Sequence, residues 1–448
     1  MVSRALLTAF GWLVAHLPTW LLHPICQVFG RLFLAVFRGR RLAMKHNIAI
    51  ALPELRRRER RAIAKTSATR LVELGLFALA APFLSRSRIR KTFSLAGPWA
   101  DVLHNLRSGT RPQLLLIPHQ TLTEALTFLP FLLACEEENL PIAILYRPFA
   151  NAALENFVRR TRERFGLQLF ARKHGPMAAV RIIRRGGCVG LLFDQNAGPA
   201  GTLSLLCGHI SSTTPLPNLL REAGAATVWM ASVERTGFFS GILSVEALPD
   251  GPVTATMNLW LENRLKMDGR FCRDWLWAHR RWKCPTRLAL TLAGRRNDLA
   301  HALKIRGLAK LPKSWPTIVH LPAATSGLWA NVQALVLALQ TNRPDAFIKI
   351  LCHPRLHAAA ILAFPTADGL VKKFSRGEHW ELFFTFSKNP LAGLAAAWHG
   401  IPLRIGLHGR GRQPFLTHLP DLASLGLPTP VTSHGRRDSF PKCHKFPP

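Results

Sequence analysis

A single tyrosine stands among 448 residues, and acidic side chains are scarce, with 25 Asp and Glu against 59 Lys and Arg. The eight cysteines (Cys26, Cys135, Cys188, Cys207, Cys272, Cys284, Cys352 and Cys443) include no Cys-x-x-Cys pair, and several lie inside apolar runs. That spacing speaks against a disulfide framework or a zinc site and suits reduced thiols in a cytosolic environment. There is no Walker loop, no His/Cys run with metal-ligand spacing and no internal repeat. With one Tyr and no recognisable RNA- or DNA-binding motif, nucleic acid is not the expected partner.

What is present describes an ordered chain, 48% hydrophobic and 19% charged, long enough for two cores. The net charge of +34 and isoelectric point near 11.4 give a surface that attracts anionic membranes or acidic proteins. A compositional bias towards Arg is the alternative source of part of that excess.

From Ala5 to Gly30 there is no Asp, Glu, Lys or Arg, a run long enough to cross a bilayer. Pro18 and Pro24 interrupt it, so a kinked or half-inserted helix fits as well as a straight span. Arg4 precedes the run, whereas Arg31, Arg38, Arg40, Arg41 and Lys45 follow it, which leaves the bulk of the chain on the cytoplasmic side. The weak leading charge and lack of a small-residue cleavage site disfavour a signal peptide.

Asn47 to Ala81 reads as helical, with LRRRERR as a solvated or headgroup-facing stretch. From about 112 to 260, short apolar runs alternate with amphipathic segments. The candidate strands are QLLLIP (113–118), PIAILY (141–146), CVGLLFD (188–194), ATVWMAS (226–232) and GILSVEAL (241–248). Such alternation predicts an α/β layer with ligands at the strand ends. Residues 284–312 read as a linker or bridging helix. A second α/β unit follows, with TIVHLPA, AFIKILC and ELFFTFS as strands. Beyond about Leu425 the composition is that of a frayed tail.

The segment PHQTLTEAL (118–126) delivers His119 from a strand into a loop, with Glu124 five positions on. Acyl transfer to an alcohol needs a base for the hydroxyl proton, and imidazole suits that task near neutral pH. A carboxylate on the other ring nitrogen would fix its tautomer, and the acceptor hydroxyl could attack directly without a Ser or Cys nucleophile. Thr121 and Glu124 also fit a T-x-x-E capping box, which would account for the Glu by itself. Three further segments supply polar residues, with Arg147, Asp194 and Gln195 at strand ends and Arg162 and Arg164 on a helix. YRPFANAALENFVRRTRERFG (146–166) supplies Arg147, Arg162 and Arg164. GLLFDQNAG (190–198) supplies Asp194 and Gln195. DWLWAHRRWK (274–283) interleaves Trp275, Trp277 and Trp282 with His279, Arg280, Arg281 and Lys283. The last suits an interface of apolar rings and anionic headgroups, or equally a helix packing its aromatics on the core.

Together HQTLTE, YRPFxN with its downstream arginines, LLFDQxxG and WLWAHRRWK resemble the late acyltransferases of lipid A biosynthesis, within the wider lysophospholipid acyltransferase class. NIAIALPEL (47–55) looks like that family's early Asn-containing helix, and the resemblance covers about residues 1–283. It implies His119 as general base with Glu124 as its catalytic partner. Arg162 or Arg164, with Asp194, would help form the site, with Arg147 and Gln195 close by and His279, Arg280 and Arg281 among the substrate-binding residues. It further implies acyl carrier protein as donor, an anionic glycolipid acceptor and a location at the cytoplasmic face of the inner membrane. No metal or cofactor is expected beyond the carrier thioester. In CGHISST (207–213) Gly208 and Thr213 match the family's pattern, whereas the residues around them depart from it, so the acyl pocket wall is expected to differ.

Residues 313–420 resemble the N-terminal half of heptosyltransferase-type glycosyltransferases, on IVHLPA, NVQALVLALQTNRPDAFIKIL and AAWHGIPLRIGL. TSGLW (325–329) lacks that family's acidic residue, and the nucleotide-sugar half is not expected before Pro448, so glycosyl transfer by this chain alone is not expected. The expected architecture is α/β: a membrane anchor (1–37), an acyltransferase domain (38–283), a linker (284–312), a partial Rossmann-like domain (313–424) and a disordered tail (425–448). The alternatives are an acyltransferase for another glycolipid or glycerolipid, and a non-catalytic basic protein bound to the membrane surface.

Overall fold

The computed structural model describes residues 4–133, 140–171, 175–282, 290–321, 329–374, 379–387, 389–406 and 415–416. The tail, Lys283 and most of TSGLW lie outside the described residues. The chain divides into two compact units: one of residues 1–285 and 294–312, the other of 286–293 and 313–448. The segment read as a linker is therefore shared between the units.

The first unit opens with α1 (Arg4–His16) and α2 (Thr19–Val36), separated at Pro18. Helices α3 (Arg38–Ala51) and α4 (Arg57–Ala80) follow. Of the described helices, α2 alone is long and apolar enough to cross a membrane, by length and composition. Its stripe Leu22, Cys26 and Gly30 is buried. At Gly30 a Cβ would come within 2.8 Å of the Thr69 backbone, so glycine sets how closely α2 approaches α4. The outer faces stay apolar and open, with Leu6, Phe10 and Trp12 on α1 and Trp20, Phe29, Leu32 and Val36 on α2 exposed.

The sheet is built next. Helix α5 (Arg86–Thr92), β1 (Phe93–Ala96) and α6 (Trp99–Ser108) lead to the central strand β2 (Gln113–Ile117). A 3₁₀ turn (Thr123–Phe128) and α7 (Leu129–Leu132) follow it, then β3 (Ile142–Tyr146), α8 (Ala152–Glu163), β4 (Gln168–Ala171), α9 (Gly175–Arg184) and β5 (Cys188–Leu192). A hairpin of β6 (Thr202–Leu206) and β7 (His209–Thr213) precedes α10 (Leu216–Gly224), β8 (Thr227–Gly237) and β9 (Ser240–Ala247). Helices α11 (Val253–Met267), α12 (Gly269–Asp274) and α13 (Leu299–Lys304) complete the unit. The seven-stranded order is β1-β9-β8-β2-β5-β3-β4, parallel except between β8 and β9.

Every residue of β2 is buried because both sheet faces are covered, as expected of a central parallel strand. Leu114 and Leu116 enter one core with Val189, Leu191 and Met257, while Leu115 and Ile117 enter the other with Trp229, Phe128 and Phe77. The expected strands all form. Strands β1 and β4 and the β6–β7 hairpin go beyond that expectation, being short or too polar to stand out.

The second unit holds a five-stranded parallel sheet, β10 (Trp315–His320), β11 (Ala346–Leu351), β12 (Leu370–Val371), β13 (Leu382–Thr385) and β14 (Leu403–Gly406), in the order β12-β11-β10-β13-β14. Helices α14 (Trp329–Asn342), α15 (His357–Ala363) and α16 (Pro390–Trp398) alternate with these strands, giving a Rossmann-like parallel α/β unit.

Candidate active site

Strand register builds the centre of the site. Strands β2 and β5 are parallel neighbours with Ile117 opposite Leu192. Two residues beyond each, His119 and Asp194 therefore emerge side by side at the C-terminal edge, where open α/β sheets hold their ligands. His119 Nδ1 lies 2.5 Å from Asp194 Oδ1, and the His119 backbone N–H donates to Oδ2 at 2.9 Å. The Trp275 indole N–H donates to the same Oδ2 at 2.5 Å. Burial by itself would raise the acid, but the facing imidazole and these donors outweigh it and hold the Asp194 carboxyl below the usual carboxylate range. A carboxylate here makes Nδ1 the protonated ring nitrogen and leaves the lone pair on Nε2. Gln195 lies across that nitrogen, with its amide 2.9 Å away.

The expected pairing of His119 with Glu124 is not the one the structure forms. Past Gln120 the chain turns into the 3₁₀ segment, and Glu124 there accepts a forked pair from Arg162 on α8, Nε to Oε2 at 2.9 Å and Nη2 to Oε1. Both groups are mostly buried, with 21% and 15% of their side chains exposed. The capping box does not form either. Thr121 Oγ1 instead reaches Asp274 Oδ1 at 3.3 Å, and Gln120 N–H is satisfied by Thr123 Oγ1 at 2.7 Å.

The loop carrying His119 is held by the Trp-rich segment, which is extended and turned, not helical. Thr121 N–H donates to Asp274 O, and Leu276 N–H donates to His119 O, each at 3.0 Å. Trp275, Trp277 and Trp282 are all buried, so this segment is core and not a headgroup-facing surface. Asn47 of α3 fastens its outer side, donating from Nδ2 to Trp277 O at 2.9 Å and also to His279 O.

His279 accepts the Asn196 backbone N–H on Nε2 at 2.9 Å, and burial above all lowers its pKa to about 4. Asp194 opposes that shift, while Arg281, His119 and Arg40 reinforce it. A neutral ring can accept that bond and a protonated one cannot. Arg281 is fully buried and donates to Ser212 O at 2.8 Å and Thr213 Oγ1 at 2.9 Å. Burial brings it down to about 10. Its carbonyl accepts from Asn196 Nδ2 at 2.8 Å. His279, Arg281 and Thr213 thus frame the loop that carries Asp194 and Gln195.

Other expected site residues lie apart from this cluster. Arg147 is exposed at the end of β3, and Arg280 is also exposed. Arg164 donates to the carbonyls of Ala81, Pro82 and Leu84 and so braces the chain after α4. Gly208 (φ +73°) and Cys207 (φ +53°) form the two-residue turn joining β6 and β7, with Leu206 opposite His209. Trp275 as a donor to Asp194 was not legible as such, since only its aromatic character showed in the sequence. Asp274, pushed up to about 6 mainly by burial, carries no comparable signal in the sequence.

The site therefore pairs a buried carboxylate with an imidazole whose Nε2 lone pair, met by the exposed Gln195 amide, lies at the C-terminal edge of the sheet, an arrangement suited to taking a proton from a hydroxyl. The family model described as bacterial lipid A biosynthesis acyltransferase matches residues 2–284, which include every residue of this cluster. No curated protein matches the chain. The chain belongs to the bacterial lipid A biosynthesis acyltransferase family and is an acyltransferase.

Proposed function

We propose that the enzyme moves a fatty acyl chain from acyl carrier protein to a hydroxyl of a lipid A precursor, with His119 as base and Asp194 as the carboxylate that orients it. The observation that carries this reading is the His119 Nδ1–Asp194 Oδ1 contact of 2.5 Å, with Nε2 left as proton acceptor. Nε2 takes the proton of the acceptor hydroxyl as its oxygen attacks the thioester carbonyl carbon. The developing imidazolium is stabilised by Asp194, and the same proton then passes to the leaving sulfur. The chemistry so written needs no cofactor.

Glu124 serves this site through Arg162. The forked pair holds the guanidinium in one geometry and offsets part of its burial cost. Arg162 is the group we assign to the anionic acceptor. The basic surface supports a phosphorylated glycolipid and an acidic carrier protein as partners. The open apolar faces of α1 and α2 support seating in the cytoplasmic leaflet of the inner membrane, beside cationic Arg38, Arg40 and Arg41. The second unit is read as a non-catalytic half-domain that holds a sugar or a partner.

The test incubates membranes carrying the full chain with an acyl-carrier thioester and a tetra-acylated lipid A precursor, reading product mass. The expected result is a gain of one acyl group, lost in His119→Ala. No gain with any chain length contradicts the lipid A reading and directs attention to other glycolipid or glycerolipid acceptors.

A further inference from the structure

We infer that Gln195 is a hydrogen-bond donor with two positions: it caps the base when substrate is absent, then serves the thioester carbonyl oxygen during transfer. This rests on the acyl-transfer reading above. Its amide faces His119 Nε2 at 2.9 Å. Because Asp194 claims the Nδ1 proton, Nε2 offers a lone pair, and only the amide N–H end of Gln195 can answer it. The acceptor hydroxyl must bind this nitrogen at about 2.6–3.2 Å to give up its proton, so it needs the place that the amide holds.

The loop around Gln195 is built for such an exchange. Asp194 on one side is buried and takes three donors. Asn196 on the other is tied through its N–H to His279 and through its amide to Arg281 O. The backbone is thus fixed at both ends, while the Gln195 side chain itself is exposed. The neighbouring Arg281 is engaged by Ser212 O and Thr213. Gln195 is the donor in this cluster whose bond the substrate itself displaces.

In the transfer step the hydroxyl oxygen bonds to the carbonyl carbon as its proton goes to Nε2, and the carbonyl electron pair moves onto oxygen. That oxygen is two bonds from the attacking one, so the displaced amide reaches it by a short swing. When the intermediate collapses the C–S bond breaks, and sulfur takes the proton from Nε2, leaving an ester and a free thiol. A donor aimed at such an oxygen is worth about 10²–10³-fold in kcat.

The experiment uses the full chain with carrier thioester and lipid A precursor, comparing wild type, Gln195→Ala and Gln195→Glu. Both variants are expected to lose about 10²–10³-fold in kcat. In Gln195→Ala, KM for the acceptor is expected to stay level or fall, since the competing cap is gone. In parallel, ¹⁵N spectra of substrate-free protein labelled at histidine report on Nε2 of His119, assigned by its loss in His119→Asn. The resonance is expected to move in Gln195→Ala. A Gln195→Ala kcat within about threefold of wild type, well short of the loss expected for such a donor, overturns the donor role, and an unmoved resonance overturns the cap. Both are failures of this inference alone. Absence of transfer by wild type is the failure of the acyl-transfer reading and takes the donor role with it.

Discussion

Arg162 and Glu124 act as one group, and their mutation should show it. Each of Glu124→Gln and Arg162→Gln leaves its partner's charge mostly buried without its counter-ion, costing about 2 kcal/mol, between the ranges for exposed and buried pairs. The double variant is expected to lose little beyond either single one in denaturant stability and in transfer rate. Additive losses would show that the two serve separate steps. His279 gives a second test at this scale, through pH. Its folded value of about 4 lies below the ordinary 6.5, so the unfolded chain takes up the proton first. Its contribution is fully present above pH 6.5 and is lost as pH falls towards 4. The melting temperature should fall across that window, by the equivalent of about 2 kcal/mol with solvent screening allowed for. His279→Gln is expected to flatten the slope, and an unchanged slope would remove His279 from the clamp on Asn196.

Among the elements, legibility followed local pattern. QLLLI and CVGLL announce buried parallel strands through continuous apolar character, and both form. What they cannot announce is adjacency. Strand β5 enters between β2 and β3, so Asp194 meets His119 across 75 positions, while Glu124 only five positions on turns to α8. Spacing along the chain favoured the nearer carboxylate, and sheet order chose the farther one. The Trp segment left two readings open, a headgroup-facing surface and a helix packing its aromatics on the core, and the burial is that of the second without its helix. Its rings and cations alternate as at a membrane surface, yet Trp275 and Trp277 are buried against the site loop. At the N-terminus Pro18 did mark a helix break, and the packing on α4 was hidden because it depends on the shape of one small residue. Gly30→Ile is predicted to cost about 1–3 kcal/mol and to loosen α2 from α4, read as earlier proteolysis of the N-terminal segment. Unchanged proteolysis and melting would show that the close approach does not hold the helix.

For the molecule as a whole, the catalytic unit is larger than its sequence pattern implied. Residues 294–312, which looked like a linker, belong to it: Leu203 N–H donates to Arg296 O, and Arg306 reaches Glu262 Oε2 at 3.1 Å. Charge and apolar surface are also read best at this scale. No one residue explains an excess of 34 positive charges, but a phosphorylated lipid, an acidic carrier and an anionic leaflet would each be drawn to it. The central claim is narrower, namely that the base of this acyltransferase is His119 held by Asp194. The most direct measurement is the acyl-transfer rate of Asp194→Asn, beside His119→Ala and Glu124→Gln in the same membranes. Asn keeps the shape of the side chain but offers an N–H where His119 needs an acceptor. The predicted result is a fall of about 10⁴-fold for Asp194→Asn in a protein that still folds, close to the His119→Ala level. Near-normal transfer by Asp194→Asn, with Glu124→Gln as inactive as His119→Ala, would contradict the claim and return the role of partner to Glu124.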